Sequence, residues 1–344
     1  MILHRAWHVS CWRMFLKASR AAAYAAAMTA GLAGVHSLPA AAQSGLKLAG
    51  ITTGFPPGGS SDVTARILAD KLRGKYAESI LVEARPGAGG RLAVEYVKGG
   101  RGDGSSILLS PGGMMVMFPH IYKNLRYNPL QDFTPVTMVV KFPFVLAISA
   151  LVPAEVRTLD DFLRWARLNP KTASYGSPGE GTRAHFVGVM LGRSAGLPYT
   201  HVPYKGMAPM VQDLLGGQIA SGILTPADAA PIVQSGKLRI IATTGASRSR
   251  FMPDVPTFKE SGHKEIEIEE MYALFVPSST PAQTVSQLAE LVQQALDLTD
   301  VQARFAQMAL EPVGNSPAEF KAYIKAEYER WGAIAKASGF TPIE

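Results

Sequence analysis

The chain has 344 residues, with 34 Lys and Arg against 27 Asp and Glu and a single cysteine. Arg5, Arg13, Lys17, Arg20 and the cysteine, Cys11, all fall in the first twenty positions; residues 43–344 therefore carry 34 less 4 basic against 27 acidic residues, a net +3, and no cysteine. This balance excludes a basic nucleic-acid surface, disulfides, thiolate chemistry and cysteine metal sites, and the length suggests two domains rather than one core.

Residues 1–20 are basic and lack acids, Ala21–Val35 is apolar and alanine-rich, and Ser37-Leu38-Pro39-Ala40-Ala41-Ala42-Gln43 follows. This order reads as a secretory signal peptide over residues 1–42, cut after Ala42. The apolar run is short and weakly hydrophobic for a bilayer span, which needs about 20 strongly apolar residues. Beyond it, short β-like runs alternate with helical patterns. Strands are expected at Lys47–Thr53, Ser79–Ala84, Ser105–Ser110, Thr172–Gly176, Ile219–Leu224 and Leu238–Thr244. Helices are expected from about Ser61, over Leu92–Val97, from Thr158 to Asn169, over Thr182–Ala195 with Gly196 as C-cap, and between Leu224 and Gly236. Thr158 with Asp161 forms a capping box. The βαβα rhythm argues for an α/β protein with parallel sheets covered by helices on both faces. The last third turns helical. Val285, Leu288, Ala289, Val292, Ala295 and Leu296 share one face, and Ser316-Pro317-Ala318-Glu319 opens a helix whose stripe is Phe320, Ile324, Trp331 and Ile334. These faces are expected to look into the core.

Three glycine-rich loops each follow an expected strand and precede an expected helix: Phe55-Pro56-Pro57-Gly58-Gly59-Ser60-Ser61-Asp62, Ser110-Pro111-Gly112-Gly113, and Ser174 through Thr182. The carboxyl ends of parallel strands are where open α/β sheets bind ligands. Glycines let a ligand approach the backbone, helix N-termini present free N–H groups, and hydroxyls add neutral donors, so such loops suit an anion without a fixed positive charge. Catalytic patterns are weaker. No nucleophile elbow, His-Glu-x-x-His or Walker loop occurs, and His185 and His201 lack metal-ligand spacing. His185 reads as a loop-bracing residue. Gly179-Glu180-Gly181-Thr182-Arg183-Ala184 matches a loose dinucleotide fingerprint, which leaves an exported nucleotide-dependent oxidoreductase as the alternative; the acidic residue expected about 20 positions on is missing.

With these loops, Arg85-Pro86-Gly87-Ala88-Gly89-Gly90, Asp132-Phe133-Thr134-Pro135-Val136, His201-Val202-Pro203-Tyr204-Lys205-Gly206, Leu214-Leu215-Gly216-Gly217-Gln218 and Pro253-Asp254-Val255-Pro256-Thr257 form an ordered set. The set resembles the Bug-type periplasmic solute-binding proteins of tripartite tricarboxylate transporters, over essentially the whole chain after the leader. The resemblance implies a two-domain Venus-flytrap fold of type II-like form, a non-enzymatic and cofactor-free function, and a ligand carboxylate held by the first and third loops. The ligand-binding residues it suggests are Phe55, Pro57, Gly58, Gly59, Ser60, Ser61, Asp62, Ser110, Ser177, Gly179, Gly181, Thr182 and His185. Domain I is expected over residues 43–145 plus 273–344 and domain II over 146–272, with hinge strands near Phe142–Ser149 and Tyr272–Val276. The implied partners are a small organic carboxylate and a tripartite-type permease or a sensor, with no nucleic acid, for a periplasmic monomer. Ala84, Thr53-Gly54 and Ala220 depart from the family pattern, and Met114 and Met115 follow Gly113 at an expected strand end. An uncharged wall there favours a monocarboxylate with an apolar or aromatic body over a tricarboxylate.

Overall fold

The computed structural model describes residues 45–233, 236–338 and 342–344. The leader read over residues 1–42, with its cleavage point after Ala42, lies outside the described residues. Among the described residues eleven strands run in chain order: β1 (Leu48–Thr53), β2 (Ser79–Ala84), β3 (Ser106–Pro111), β4 (Phe133–Pro143), β5 (Val145–Ile148), β6 (Ser174–Ser177), β7 (Thr200–Pro203), β8 (Ser221–Leu224), β9 (Arg239–Thr243), β10 (Glu269–Pro277) and β11 (Glu311–Pro312). They form two mixed sheets. The six-stranded sheet has the order β11-β4-β10-β3-β1-β2 and the five-stranded sheet the order β7-β6-β8-β5-β9.

In the first sheet β1 pairs in parallel with β2 and β3, as βα crossovers require. β10 returns antiparallel between β3 and β4. Its register against β4 slips twice, after Tyr272 and after Leu274, the second slip falling beside Pro135. Proline has no N–H for the ladder, so a bulge is where a central strand can hold it. Helix Ser60–Leu72 buries Ile67, Leu68 and Leu72, and helix Ala282–Leu296 buries Val285, Leu288, Ala289, Val292, Ala295 and Leu296. The stripe of helix Pro317–Ser338 goes inward as expected: Phe320, Ile324 and Trp331 are buried, and Ile334 packs at the core's edge.

The chain passes into the second sheet through Phe144, between β4 and β5. All four residues of β5 are buried, but they serve two cores. Val145 and Ala147 face Met210, Leu214 and Leu224, whereas Leu146 and Ile148 join the larger cluster with Phe162 and Phe186. This two-sided burial erases the period-2 alternation that marks a half-exposed strand. The capping box at Thr158 and Asp161 opens helix Leu159–Leu168, and Gly196 closes helix Arg183–Ala195 in the left-handed conformation. The chain is back in the first sheet at Glu269. The second hinge expected at Tyr272–Val276 therefore falls inside β10, all of whose residues pair with β4. The return crossing lies upstream, between Thr243 and Glu269.

Candidate functional site

The carboxyl ends of β1, β3, β6 and β8 meet the passage from β4 to β5 and the start of β10 around one cavity. Phe55, Gly59, Ser60 and Ser61 line it from the first loop, Pro111, Gly113 and Met114 from the second, and Pro178, Thr182 and Arg183 from the third. Thr225 follows β8, Phe142 and Phe144 flank the crossing, and Glu270 and Tyr272 belong to β10.

The first loop is shaped for anions. Gly58 takes a φ of 87°, a conformation glycine alone adopts cheaply, and Gly59 is the N-cap of helix Ser60–Leu72. The Gly58 N–H donates to Asp62 Oδ2 at 3.0 Å and the Ser60 N–H to Asp228 Oδ1 at 3.3 Å. Among the described residues, none accepts from the N–H groups of Gly59 or Ser61 or bonds the Ser61 hydroxyl. Unclaimed donors at a helix start, with the positive end of the dipole, are what a carboxylate needs.

Asp62 turns away from the cavity. Burial opposes its ionisation, but the bonds from Arg66 and Gly58 and the charge of Arg66 outweigh it, and the carboxyl is held below its ordinary value. Pro57 and Gly58 are exposed and form the loop's outer turn. Ser110 donates to the Pro111 carbonyl at 2.9 Å. Of the ligand residues expected in the third loop, Thr182 reaches the cavity; its hydroxyl donates to the Gly179 carbonyl at 2.8 Å and accepts from the His185 N–H. Ser177, Gly179, Gly181 and His185 stand behind it. The Gly181 N–H donates to His185 Nδ1 at 3.0 Å, Ser177 Oγ lies 2.7 Å from His201 Nε2, and the two imidazoles stack with centroids 3.8 Å apart. Burial lowers His185 to about 4, and burial with the neighbouring His185 lowers His201 to about 3, so both rings are neutral braces. Met114 lines the cavity while Met115 is wholly in the core, and Ala220 is buried away from the cavity.

Two polar clusters lie outside the sequence expectations. Asp228, from helix Pro226–Val233, reaches the start of helix Ser60–Leu72. Ser60 Oγ donates to its Oδ2 at 2.8 Å, Thr225 bonds the same oxygen, and the Tyr272 hydroxyl lies 2.7 Å from Ser60 Oγ. Burial raises the Asp228 carboxyl, against the lowering effect of those hydroxyls. The sequence does carry a signal for it: Thr225-Pro226-Ala227-Asp228 has the spacing of a helix start, and the Asp228 N–H donates to Thr225 Oγ1 at 3.2 Å. What this turn lacks is the glycine that marks the other three loops. The second cluster centres on Arg183, which is 2 % exposed. Its Nη1 donates to the Glu269 carbonyl at 2.6 Å and Glu270 Oε1 at 3.2 Å, and its Nη2 to Glu327 Oε2 at 3.1 Å. Burial raises Glu270, opposed by the charge of Arg183. Among the described residues no group of side chains could hold a metal ion.

The family model described as "Tripartite tricarboxylate transporter family receptor" matches residues 64–340. A UPF0065 protein from the gbd 5' region of Cupriavidus necator is 30% identical over 322 residues, covering 93% of this chain and 96% of that protein. Among solved structures, R. palustris Rpa4515 with adipate is similar at a TM-score of 0.81 and 29% identity, covering 86% of this chain and 98% of that one. The periplasmic binding protein BugD is similar at a TM-score of 0.80 and 30% identity, covering 85% and 98%.

Proposed function

Because the chain belongs to the tripartite tricarboxylate transporter receptor family, we propose that this solute-binding protein captures a small carboxylate-containing ligand between two lobes and presents it to a tripartite-type permease or a sensor. Membership in a receptor family argues against the oxidoreductase alternative at Gly179–Ala184. The observation that carries the carboxylate reading is the pair of unclaimed N–H groups, Gly59 and Ser61, opening onto a cavity whose wall includes Phe55, Met114, Phe142 and Phe144. The adipate bound by the similar Rpa4515 supports the same ligand class. Gly59 and Ser61 are the donors we assign to the carboxylate; Ser60 and Thr182 line the same cavity, with their hydroxyl protons directed to Asp228 and the Gly179 carbonyl. Phe55 joins the apolar wall, and the remaining loop residues, His185 included, brace the shape. One lobe is built on each sheet and the crossings at Phe144 and before β10 act as the hinge. Ligand bridging both lobes binds the closed form better and shifts the population to it. The basic, alanine-rich leader supports export to the periplasm with cleavage after Ala42; no described helix is long and apolar enough to cross a membrane.

Gly59→Pro is the direct test. Gly59 has φ −77°, which proline adopts, and its N–H has no partner inside the described protein. The variant should fold normally yet lose one charge-assisted hydrogen bond, weakening the ligand by roughly 10- to 150-fold. Lys205→Ala, at an exposed side chain, should leave affinity within about threefold. Calorimetry reads both, using whichever of adipate, hexanoate, 3-phenylpropanoate and citrate raises the unfolding temperature. Equal losses in the two variants would sink a backbone-built site.

A further inference from the structure

The charged side chains that line the cavity are Arg183 and Glu270. Both terminal nitrogens of the Arg183 guanidinium are engaged: Glu270 and the Glu269 carbonyl hold Nη1 and Glu327 holds Nη2, while Nε is buried without a hydrogen-bond partner among the described residues. Behind Ser60 and Thr225 stands Asp228, which forms no ion pair among the described residues. Large apolar side chains of the wall include Phe55, Met114, Phe118, Phe142, Phe144 and Met207. Backbone donors at the first loop can satisfy one carboxylate. A second would face two buried carboxyl groups, and the cation among the lining residues, Arg183, is already paired with Glu270 and Glu327; an unpaired buried anion costs several kcal/mol.

We infer that the site selects a monocarboxylate with an apolar aliphatic or aromatic body and rejects dicarboxylates, with Glu270 as a specificity-determining residue because it pairs with Arg183 Nη1 and lines the same cavity. The inference rests on the carboxylate-receptor reading and narrows it, and it separates this chain from the adipate-bound neighbour. Selectivity arises from a withheld partner as much as from a favourable wall.

Titration calorimetry at neutral pH with hexanoate, 3-phenylpropanoate and adipate tests it. At least one monocarboxylate should bind, with adipate weaker by tenfold or more, on the order of 1.4 kcal/mol. Adipate within tenfold of the better monocarboxylate, or tighter, would overturn the selectivity while leaving the carboxylate reading intact. Binding by none of the three would overturn both. Glu270→Gln keeps the side chain's shape and an acceptor for Arg183 but removes the matching charge. It should raise adipate affinity relative to hexanoate by about tenfold; an unchanged ratio would remove Glu270 from the role. The wild-type comparison holds whether or not that variant folds.

Discussion

The stacked imidazoles of His185 and His201 show how burial at single residues ties the third loop to pH. Both rings have folded-state values below the unfolded value of about 6.5. Below pH 6.5 the unfolded chain therefore binds protons that the folded chain refuses, and stability falls with pH down to about 4 for His185. A tenfold difference in proton affinity between the two states is worth about 1.4 kcal/mol. The raised carboxyls of Asp228 and Glu270 act in the opposite sense, gaining as pH falls. Comparison with a variant isolates the histidine effect: His201→Gln, which can keep a bond to Ser177, should lose less stability between pH 6.5 and 4 than the parent in denaturant titrations. Parallel curves would contradict it. At this scale the sequence is legible where a residue acts through its own backbone. Gly59, Ser60 and Thr182 can be read from a turn and a helix start. Arg183 cannot, because its partners Glu270 and Glu327 lie 87 and 144 positions away, and nothing local marks a guanidinium as buried.

Helices and βα turns are legible at the scale of elements because their signals are local. Thr158 with Asp161, Gly196, and Ser316 with Glu319 all close the caps their spacing predicts. Thr182 is a side-chain cap that also borders the cavity, so it couples helix stability to binding. Thr182→Ala should cost about 1 kcal/mol in chemical denaturation and also weaken the ligand, while Thr182→Ser keeps the hydroxyl and most of both. A loss of binding without a loss of stability would mean that Thr182 is not an anchoring cap. The elements that escape a sequence reading are those whose pattern is set by distant neighbours. β4 carries Pro135 and Pro143 and two register slips, so its eleven residues do not alternate. β10 is almost wholly buried on both faces and reads as one apolar run. The pairing of these two strands determines which sheet holds the second crossing, and for that reason the boundary expected between Tyr272 and Ala273 falls within a strand.

A few polar contacts join elements of the two sheets. Near the hinge, Thr244 ties both crossings together: its N–H donates to the Phe144 carbonyl at 3.0 Å, its Oγ1 accepts from the Phe144 N–H at 2.9 Å, and its carbonyl accepts from Ile268. Those bonds lie at the proposed hinge. Across the cleft, Tyr122 donates to the Glu180 carbonyl at 2.8 Å, and Asp228 clasps Ser60. The clasp joins residues 168 apart in the chain, and it exists only while the two helix starts face each other. Asp228→Ala removes it while leaving Ser60 beside Tyr272. Hydrogen bonds to a charged group are worth about 1.5–3 kcal/mol, enough to change a closed-to-open ratio by one to two orders of magnitude. Without ligand, the variant should show a larger radius of gyration than the parent in small-angle scattering. Saturating hexanoate should bring both to the same compact value, because the ligand supplies its own bridge. An unchanged radius in the ligand-free variant would mean that closure depends on the apolar wall and the Arg183 cluster rather than on the clasp.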